Sequence, residues 1–404
     1  MNWSLFLLFC VAFTVAGCTG EEGQKTGSLR DEENPEFVGS MFRGGPARTG
    51  VYDDRGPSGP QVRKKWQFEA RNGRLEASPA VWDSTVYIGS RSDPLYAVDA
   101  RTGEEKWHSD STGFFRSSPA VVNGTVYVGS EDRHLYALDA ENGDVQWRYE
   151  TSGAVRSAPV VVDSTVYVGS VDSKAYGDSA FAKESVRSES RVYALDAETG
   201  QKQWDFHTGG GIRSSPAVLS GTVYIGSWDG HLYAIDAKTG EEVWSFNTGR
   251  KVYSTPAVAG GRVYFGSNDN HVYALDKETG EKEWQFAMES NPAMRAVPRI
   301  SSPAVSEGVV YIGSLDNRVY ALDAETGKTE WSSETGDMVV SSPTLAGETV
   351  YVGSNDGYIY ALHAETGKTR WSFDTGIHVG TSSPTIWNGT VYIGTMGRRL
   401  YAIE

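Results

Sequence analysis

The sequence predicts an all-β protein, an eight-bladed β-propeller of four-stranded antiparallel blades, from three observations. Seven units place an alanine ten residues before a tryptophan, and this spacing never varies. An unmatched Trp66 precedes the first unit, and an unmatched Ala402 follows the last. A proline preceded by serine, threonine or alanine recurs eight times, usually every 40 residues. Regular repetition at this period is typical of propellers.

Each repeat reads as four short strands. In residues 118–151, Asn123-Gly124 lies between two β-branched runs and predicts a tight turn. Asn142-Gly143 predicts a second turn before the tryptophan strand, and residues 129–132 predict a third. No part of the repeat region has an uninterrupted helical period, so we expect no helix there.

The two unmatched residues predict how the ring closes. The eighth blade is expected to take three strands from Ser382 to Glu404 and its outer strand from Val62 to Glu69, which carries Trp66. Such closure leaves no open repeat end that needs a cap. We therefore expect the propeller to span residues 41–404.

Two insertions interrupt the 40-residue spacing. One adds 17 residues between Ser170 and Arg191, and the other adds 7 residues at 291–297. Strand alternation places both on the same rim of the ring. Insertions on one rim of a repeat protein usually mark its binding face.

The composition narrows the classes of partner. The net charge is -15, with 52 acidic and 37 basic residues, of which 13 are lysines. This balance disfavours nucleic acid as a partner. It is typical of exposed proteins of salt-adapted, halophilic prokaryotes, and an ordinary acidic surface protein is the alternative. The two cysteines, Cys10 and Cys18, both precede the repeats, so thiol chemistry is not expected in the ring.

The N-terminus has the pattern of an export signal. Residues 5–16 are apolar, which is short for a membrane span and suits a signal-peptide core. The run ends in Val-Ala-Gly-Cys18, like a lipoprotein signal, although no basic residue precedes it. We expect a signal peptide at 1–17, a lipid on Cys18 and a flexible tether at 18–40. Cleavage without lipidation and an uncleaved anchor are the alternatives.

The repeat Ala-x-Asp-x-x-Thr-Gly-x-x-x-Trp resembles the tryptophan-docking motif of the pyrroloquinoline quinone (PQQ) propeller repeat family, and the likeness covers residues 66–404. Residues 41–50 also resemble the lead-in segment of this family. The resemblance implies that each tryptophan stacks on the alanine and glycine turn of an adjacent blade. These structural tryptophans are Trp66, Trp107, Trp147, Trp204, Trp244, Trp284, Trp331 and Trp371.

One repeat position predicts a binding site. It lies three residues before each proline, where the innermost strand begins, and is occupied by Glu76, Arg116, Arg156, Arg213, Tyr253, Ile300, Val340 and Thr381. Three arginines in consecutive blades predict a basic patch at the channel mouth, for an anionic ligand or an acidic peptide. Tyr253 is expected to add contact area, as are Phe114, Phe115 and Trp228. The alternative is that these arginines pair with nearby acidic residues.

The family resemblance leaves two kinds of function open. Some members are dehydrogenases that use PQQ and a Ca²⁺ ion held by Glu, Asn and Asp, beside a catalytic Asp and a vicinal cysteine pair. That cysteine pair is absent here, and the repeated aspartates occupy strand ends and turns. We therefore expect no cofactor, no metal site and no catalytic residue.

The expected protein is a monomeric scaffold, lipid-anchored at the outer face of the cell membrane, like the scaffold of the bacterial outer-membrane assembly machinery that this family contains. A PQQ- and calcium-dependent dehydrogenase is the first alternative. A sensor or solute-binding module is the second.

Overall fold

The computed structural model describes residues 39–110, 113–172, 189–289 and 301–404. Within these ranges the chain forms 34 strands and no helix. None of the described residues forms a helix with the length and apolar character needed to cross a membrane. The predicted signal peptide, Cys18 and most of the tether lie outside the described residues.

The strands form eight sheets, which we number as blades in chain order. The N-terminal segment contributes β1 (Gly39–Ser40), β2 (Val51–Tyr52) and β3 (Lys64–Glu69). Blade 1 contains β4 (Ala80–Trp82), β5 (Thr85–Ile88), β6 (Tyr96–Asp99) and β7 (Glu105–His108). Blade 2 contains β8 (Ala120–Val122), β9 (Thr125–Gly129), β10 (His134–Asp139) and β11 (Val145–Glu150). Blade 3 contains β12 (Val160–Val162), β13 (Thr165–Gly169), β14 (Arg191–Asp196) and β15 (Lys202–His207).

The later blades repeat this order. Blade 4 contains β16 (Ala217–Leu219), β17 (Thr222–Gly226), β18 (His231–Asp236) and β19 (Glu242–Asn247). Blade 5 contains β20 (Ala257–Ala259), β21 (Arg262–Ser267), β22 (His271–Asp276) and β23 (Lys282–Ala287). Blade 6 contains β24 (Ala304–Ser306), β25 (Val309–Gly313), β26 (Arg318–Asp323) and β27 (Thr329–Glu334). Blade 7 contains β28 (Thr344–Ala346), β29 (Thr349–Gly353), β30 (Tyr358–His363) and β31 (Thr369–Asp374). Blade 8 contains β32 (Thr385–Trp387), β33 (Thr390–Gly394) and β34 (Arg399–Ile403), with β3 as its fourth strand.

The predicted ring closure is confirmed. Strand β3 pairs antiparallel with β34, and Trp66 lies directly opposite Ala402 in that pairing. Beyond the strand, the backbone of Arg63 exchanges two hydrogen bonds with Glu404, at 2.9 and 3.0 Å. The first and last strands of the propeller therefore belong to one sheet, and the number of blades is eight.

The constant alanine–tryptophan spacing follows from strand register. In blade 2, Ala137 lies opposite Trp147 across the hairpin of β10 and β11, and the register shifts by one residue just after Ala137. The same pairing and bulge recur in the other blades that carry both residues on one hairpin. The ten-residue spacing is therefore the length of one hairpin that includes a β-bulge, and an insertion or deletion would break the pairing.

Neighbouring blades are joined by an interaction that we call the clasp. In blade 1, the indole N–H of Trp107 and the hydroxyl of Tyr87 both donate to the Ala140 carbonyl of blade 2, at 3.1 and 2.9 Å. The indole also covers Gly143 so closely that a Cβ there would lie 2.6 Å from its ring. Equivalent tryptophan–tyrosine pairs donate to the carbonyls of Ala100, Ala197, Ala237, Lys277, Ala324, Ala364 and Pro57.

The clasp from blade 7 to blade 8 uses a different acceptor. Blade 8 receives its fourth strand from the N-terminal segment, so it has no turn between third and fourth strands to present a carbonyl. Pro57 takes that place, and its carbonyl accepts from Trp371 at 2.6 Å and from Tyr351 at 3.1 Å. The N-terminal segment therefore completes the ring twice, once as β3 and once as a substitute turn.

Residues 41–50, ahead of Pro57, cross the far ends of the innermost strands. Carbonyls of this lead-in segment accept from backbone N–H groups of blades 4, 5, 6 and 7, in the pairs Pro46–Val218, Ala47–Val258, Thr49–Val305 and Gly50–Leu345. These contacts lie beyond each repeat proline, whereas the predicted binding position lies before it. The lead-in segment therefore covers the end of the channel opposite the predicted mouth.

The substitute turn makes a direct prediction about Gly56. A Cβ at this position would lie 2.5 Å from the Tyr351 hydroxyl oxygen, so Gly56→Ala must displace the clasp. We expect the free energy of unfolding to fall by about 1–3 kcal/mol, as for other overpacked sites. Urea denaturation measures this.

Gly59→Ala is the matched control, because nothing lies within 4 Å of a Cβ there. Equal stability of the two variants would contradict the assignment of residues 56 and 57 to the clasp.

Candidate functional site

The predicted binding position maps to a single cavity on the ring axis, which we call the mouth cavity. Its volume is about 150 Å³. The lining includes Glu76, Arg116, Arg156, Arg213, Tyr253, Val340 and Thr381, which is every member of the predicted set except Ile300, a residue outside the described ranges. Phe42 also lines the cavity, and we call it the floor because the lead-in segment crosses the end of the channel opposite the mouth.

Two of the three arginines are held by glutamates. Arg116 donates from Nη2 to Glu76 at 3.0 Å. Arg156 makes a bidentate pair with Glu131, at 2.6 and 2.8 Å. These side chains are largely buried, with exposures between 8% and 20%, so their orientation is fixed in advance of any ligand. The expectation that these arginines pair with nearby acidic residues is therefore confirmed for Arg116 and Arg156, and their partners are glutamates.

The pairing does not neutralise this side of the mouth. Glu76 also lies 3.8 Å from Arg74 and 3.5 Å from Arg91, so three guanidinium groups surround one carboxylate. Burial lowers the pKa of Arg116, and Glu76 opposes that shift. The excess positive charge is carried by Arg74 and Arg91, which are 50% and 46% exposed, so an incoming anion would meet it at the partly solvated edge of the mouth.

Arg213 has an aromatic neighbour. Its guanidinium carbon lies 5.9 Å from the ring centre of Tyr253, within the range of a cation–π contact. Tyr253 in turn packs against Trp228 at 5.2 Å, and the Lys251 ammonium lies 4.7 Å from the Trp228 ring. The mouth is therefore cationic and aromatic in blades 4 and 5.

Phe114 and Phe115, which were also expected to add contact area at the mouth, differ in their exposure to solvent. Phe114 is 48% exposed and available for contact. Phe115 is fully buried and packs edge-on against Tyr136 at 5.7 Å, so the expectation that it adds contact area is wrong. Both residues lie in the loop between β7 and β8, where the side chain of Phe115 turns into the core and that of Phe114 turns to solvent.

A ring of hydroxyl groups surrounds the cavity just inside the mouth, at the position before the repeat proline in seven of the eight blades. The backbone N–H of this residue in one blade donates to the side-chain hydroxyl of the next blade, over 2.8–3.1 Å. The hydroxyls of this hydroxyl ring belong to Ser78, Ser118, Ser215, Thr255, Ser302, Ser342 and Ser383. The repeated Ser-Pro signal marks these positions in the sequence, in addition to the number of blades.

Two buried arginines lie behind the floor. Arg48 is fully buried, and its guanidinium donates to the carbonyls of Pro216, Ala158 and Pro159. Arg43 is 2% exposed and donates to the carbonyl oxygens of Arg48 and Pro303. Burial lowers the pKa of both residues to about 9, still above neutral pH.

The repeated acidic residues support turns. Asp132 accepts a hydrogen bond from the Tyr136 hydroxyl at 2.6 Å, and Asp139 accepts from backbone N–H groups of its own turn. In the part of the chain that the structure describes, no group of three or more His, Cys, Asp or Glu side chains could hold a metal ion. Most of the first insertion (173–188) and all of the second (291–297) fall outside that part.

The fold and its mouth cavity define an eight-bladed propeller with a cavity on its axis, and comparison with known proteins supplies the family. A family model described as outer membrane protein assembly factor BamB matches residues 58–180, 188–306 and 296–404. The chain belongs to this family of PQQ-like repeat propellers. No curated protein matches the sequence.

Solved structures show the same fold at low sequence identity. BamB from Moraxella catarrhalis is 19% identical with a TM-score of 0.66, over 85% of this chain and 98% of that one. Quinohemoprotein alcohol dehydrogenase from Comamonas testosteroni is 18% identical with a TM-score of 0.73, over 90% and 80%. The computationally designed Ika8 protein is 16% identical with a TM-score of 0.71, over 84% and 99%. Such different proteins share the architecture, so the likeness defines the fold alone.

The mouth cavity does not fit a quinone and its calcium ion. The family resemblance implies Glu, Asn and Asp ligands, but among the described lining residues Glu76 is the single acidic side chain and there is no Asn. Glu76 is also bound by Arg116. The volume of about 150 Å³ is below the roughly 300–1,000 Å³ of typical sites for larger organic ligands.

The buried ion pair between Glu76 and Arg116 predicts that two substitutions lower the free energy of unfolding by different amounts. Glu76→Gln removes a buried carboxylate that faces three arginines, so we expect the free energy of unfolding to fall by about 3 kcal/mol. Glu150→Gln is the control, because the Glu150–Arg133 pair is 61% and 59% exposed and should contribute at most about 1 kcal/mol. Urea denaturation of both variants tests this, and equal losses would contradict a stabilising role for Glu76.

Proposed function

We propose that this protein is a non-enzymatic binding scaffold that captures an acidic protein partner at the mouth cavity. One observation carries the proposal: positively charged and aromatic side chains from blades 2 to 5 converge on one cavity of a rigid ring. Arginine and aromatic residues are the types that most often dominate the binding energy of protein interfaces. The family match to an assembly factor supports a role in assembling other proteins.

The scaffold is proposed to act at the outer face of the cell membrane as a monomer. The apolar run at 5–16 followed by Cys18 supports export and lipidation. The acidic composition supports a surface adapted to high salt. Mass spectrometry of the mature N-terminus should find a lipid-modified Cys18 as the first residue, and an internal or unmodified Cys18 would contradict the anchor.

Capture of the partner should depend on Arg213 and Tyr253, which contact each other and line the cavity in blades 4 and 5. We expect the double variant Arg213→Ala, Tyr253→Ala to weaken capture by about tenfold or more, since truncation of such interface residues often has this effect. Pull-down from membranes followed by quantitative mass spectrometry, compared with the parent protein, measures this loss.

Arg101→Ala is the control, because Arg101 is exposed in the turn between β6 and β7, at the opposite end of the inner strands from the mouth. Equal capture by the parent and the double variant would contradict the role of the mouth. Dye reduction by the purified protein with added PQQ and Ca²⁺ would contradict the non-enzymatic assignment and favour the dehydrogenase alternative.

A further inference from the structure

The hydroxyl ring is interrupted at one link. Seven blades carry serine or threonine before the repeat proline, whereas blade 3 carries Ala158. In the seven complete links, each backbone N–H donates to the hydroxyl of the next blade. By the same register, the residue that would accept from the Ser118 N–H of blade 2 is Ala158, whose side chain is a methyl group. This N–H therefore lacks the acceptor that the other blades provide.

The interruption opens into the mouth cavity. Ser118 and Ala158 both line it, and so do Arg116 and Arg156, each two residues earlier in the same two blades. A guanidinium has five N–H donors. Glu76 accepts from Nη2 of Arg116, and Glu131 accepts from Nε and Nη2 of Arg156 and lies 3.8 Å from Nε of Arg116. The missing hydroxyl thus lies next to two oriented cations, at the one link of the ring where a ligand oxygen could replace a protein oxygen.

The charge beneath the cavity favours an anion. Arg48 lies directly behind the floor, with its guanidinium carbon 5.6 Å from the centre of the Phe42 ring. Arg48 and Arg43 are both buried, and the described acceptors of their hydrogen bonds are carbonyl oxygens rather than carboxylates. A buried cation without a carboxylate partner is costly, and a nearby anion offsets that cost.

We propose that the mouth cavity is a carboxylate site, filled by the side chain of an aspartate or glutamate from the protein partner. One carboxylate oxygen accepts from the Ser118 N–H in place of the missing hydroxyl, and the other faces the guanidinium groups of Arg116 and Arg156. The small volume suits a carboxylate at the end of a side chain. This inference rests on the proposed function and names the chemical group that the scaffold recognises.

The test is Ala158→Ser, which supplies the hydroxyl found in seven other blades. It should complete the ring, leave the melting temperature equal or higher, and exclude the carboxylate from the Ser118 N–H. Acetate is the probe, with a capped peptide containing Glu and the same peptide with Gln as further ligands. We expect the Ser118 amide resonance to shift with acetate in the parent, and affinity to fall about tenfold or more in the variant, as for loss of a hydrogen bond to a charged group.

Two controls accompany this test. In the parent, the Ser302 amide is paired with the Ser342 hydroxyl and should not shift with acetate. Ser342→Ala opens an equivalent link beside the uncharged Val340, and it should not create a second acetate site. An acetate site there would show that the open link alone, without the arginines, binds the anion, and would overturn the proposal.

The outcomes separate this inference from the proposed function. Loss of acetate, Glu-peptide and partner binding together in Ala158→Ser supports the inference. Unchanged acetate affinity in that variant, or binding of inorganic phosphate in preference to acetate, overturns it. Acetate loss with full partner capture shows a site for free anions and overturns the protein side chain as the source. Absence of any captured partner with the parent contradicts the proposed function itself, whatever acetate does.

Discussion

The clasp is the interaction on which the rest of this molecule depends. A blade alone is a small sheet with two apolar faces, and it is stable only when both are covered. The clasp fixes how they are covered, because the tryptophan lies on the glycine of the next turn in seven of the eight clasps, and in all eight its N–H shares a carbonyl with a buried tyrosine hydroxyl. Each contact therefore combines apolar burial with a satisfied pair of hydrogen bonds. Eight such contacts join the blades around the ring.

The side chains of the mouth cavity have well-defined positions because the blades repeat so regularly. Arg116, Arg156 and Arg213 are equivalent residues of successive blades, and the ring brings them together although they are far apart in the chain. Glutamates hold the first two in place, and Tyr253 flanks the third. A rigid frame with oriented charges reduces the entropy lost when a ligand binds. The site is therefore built from repeat positions, with specificity coming from the few blades that depart from the repeat.

The fold was largely predictable from the sequence because every blade obeys the same local rules of turn, register and spacing. The convergence of the rim residues was predictable for the same reason. What the sequence could not supply were the contacts between distant segments. The pairing of Arg156 with Glu131 joins two different repeat positions, so the repeat pattern does not reveal which acidic residue lies close. The role of Pro57 follows no repeat pattern, and the buried state of Phe115 depends on a side-chain direction that a loop residue does not reveal.

The position of Pro57 has a consequence for how the protein folds. Its carbonyl is separated from Trp371 by 314 residues in the sequence. Strand β3 likewise pairs with β34 at the other end of the chain. Blades 1 to 6 can form as the chain is made, but the ring cannot close until its final strand is available. Contacts of such long range form slowly. Until that strand is available, the edge of β3 has no partner, and an unpaired strand edge of this kind is prone to aggregation.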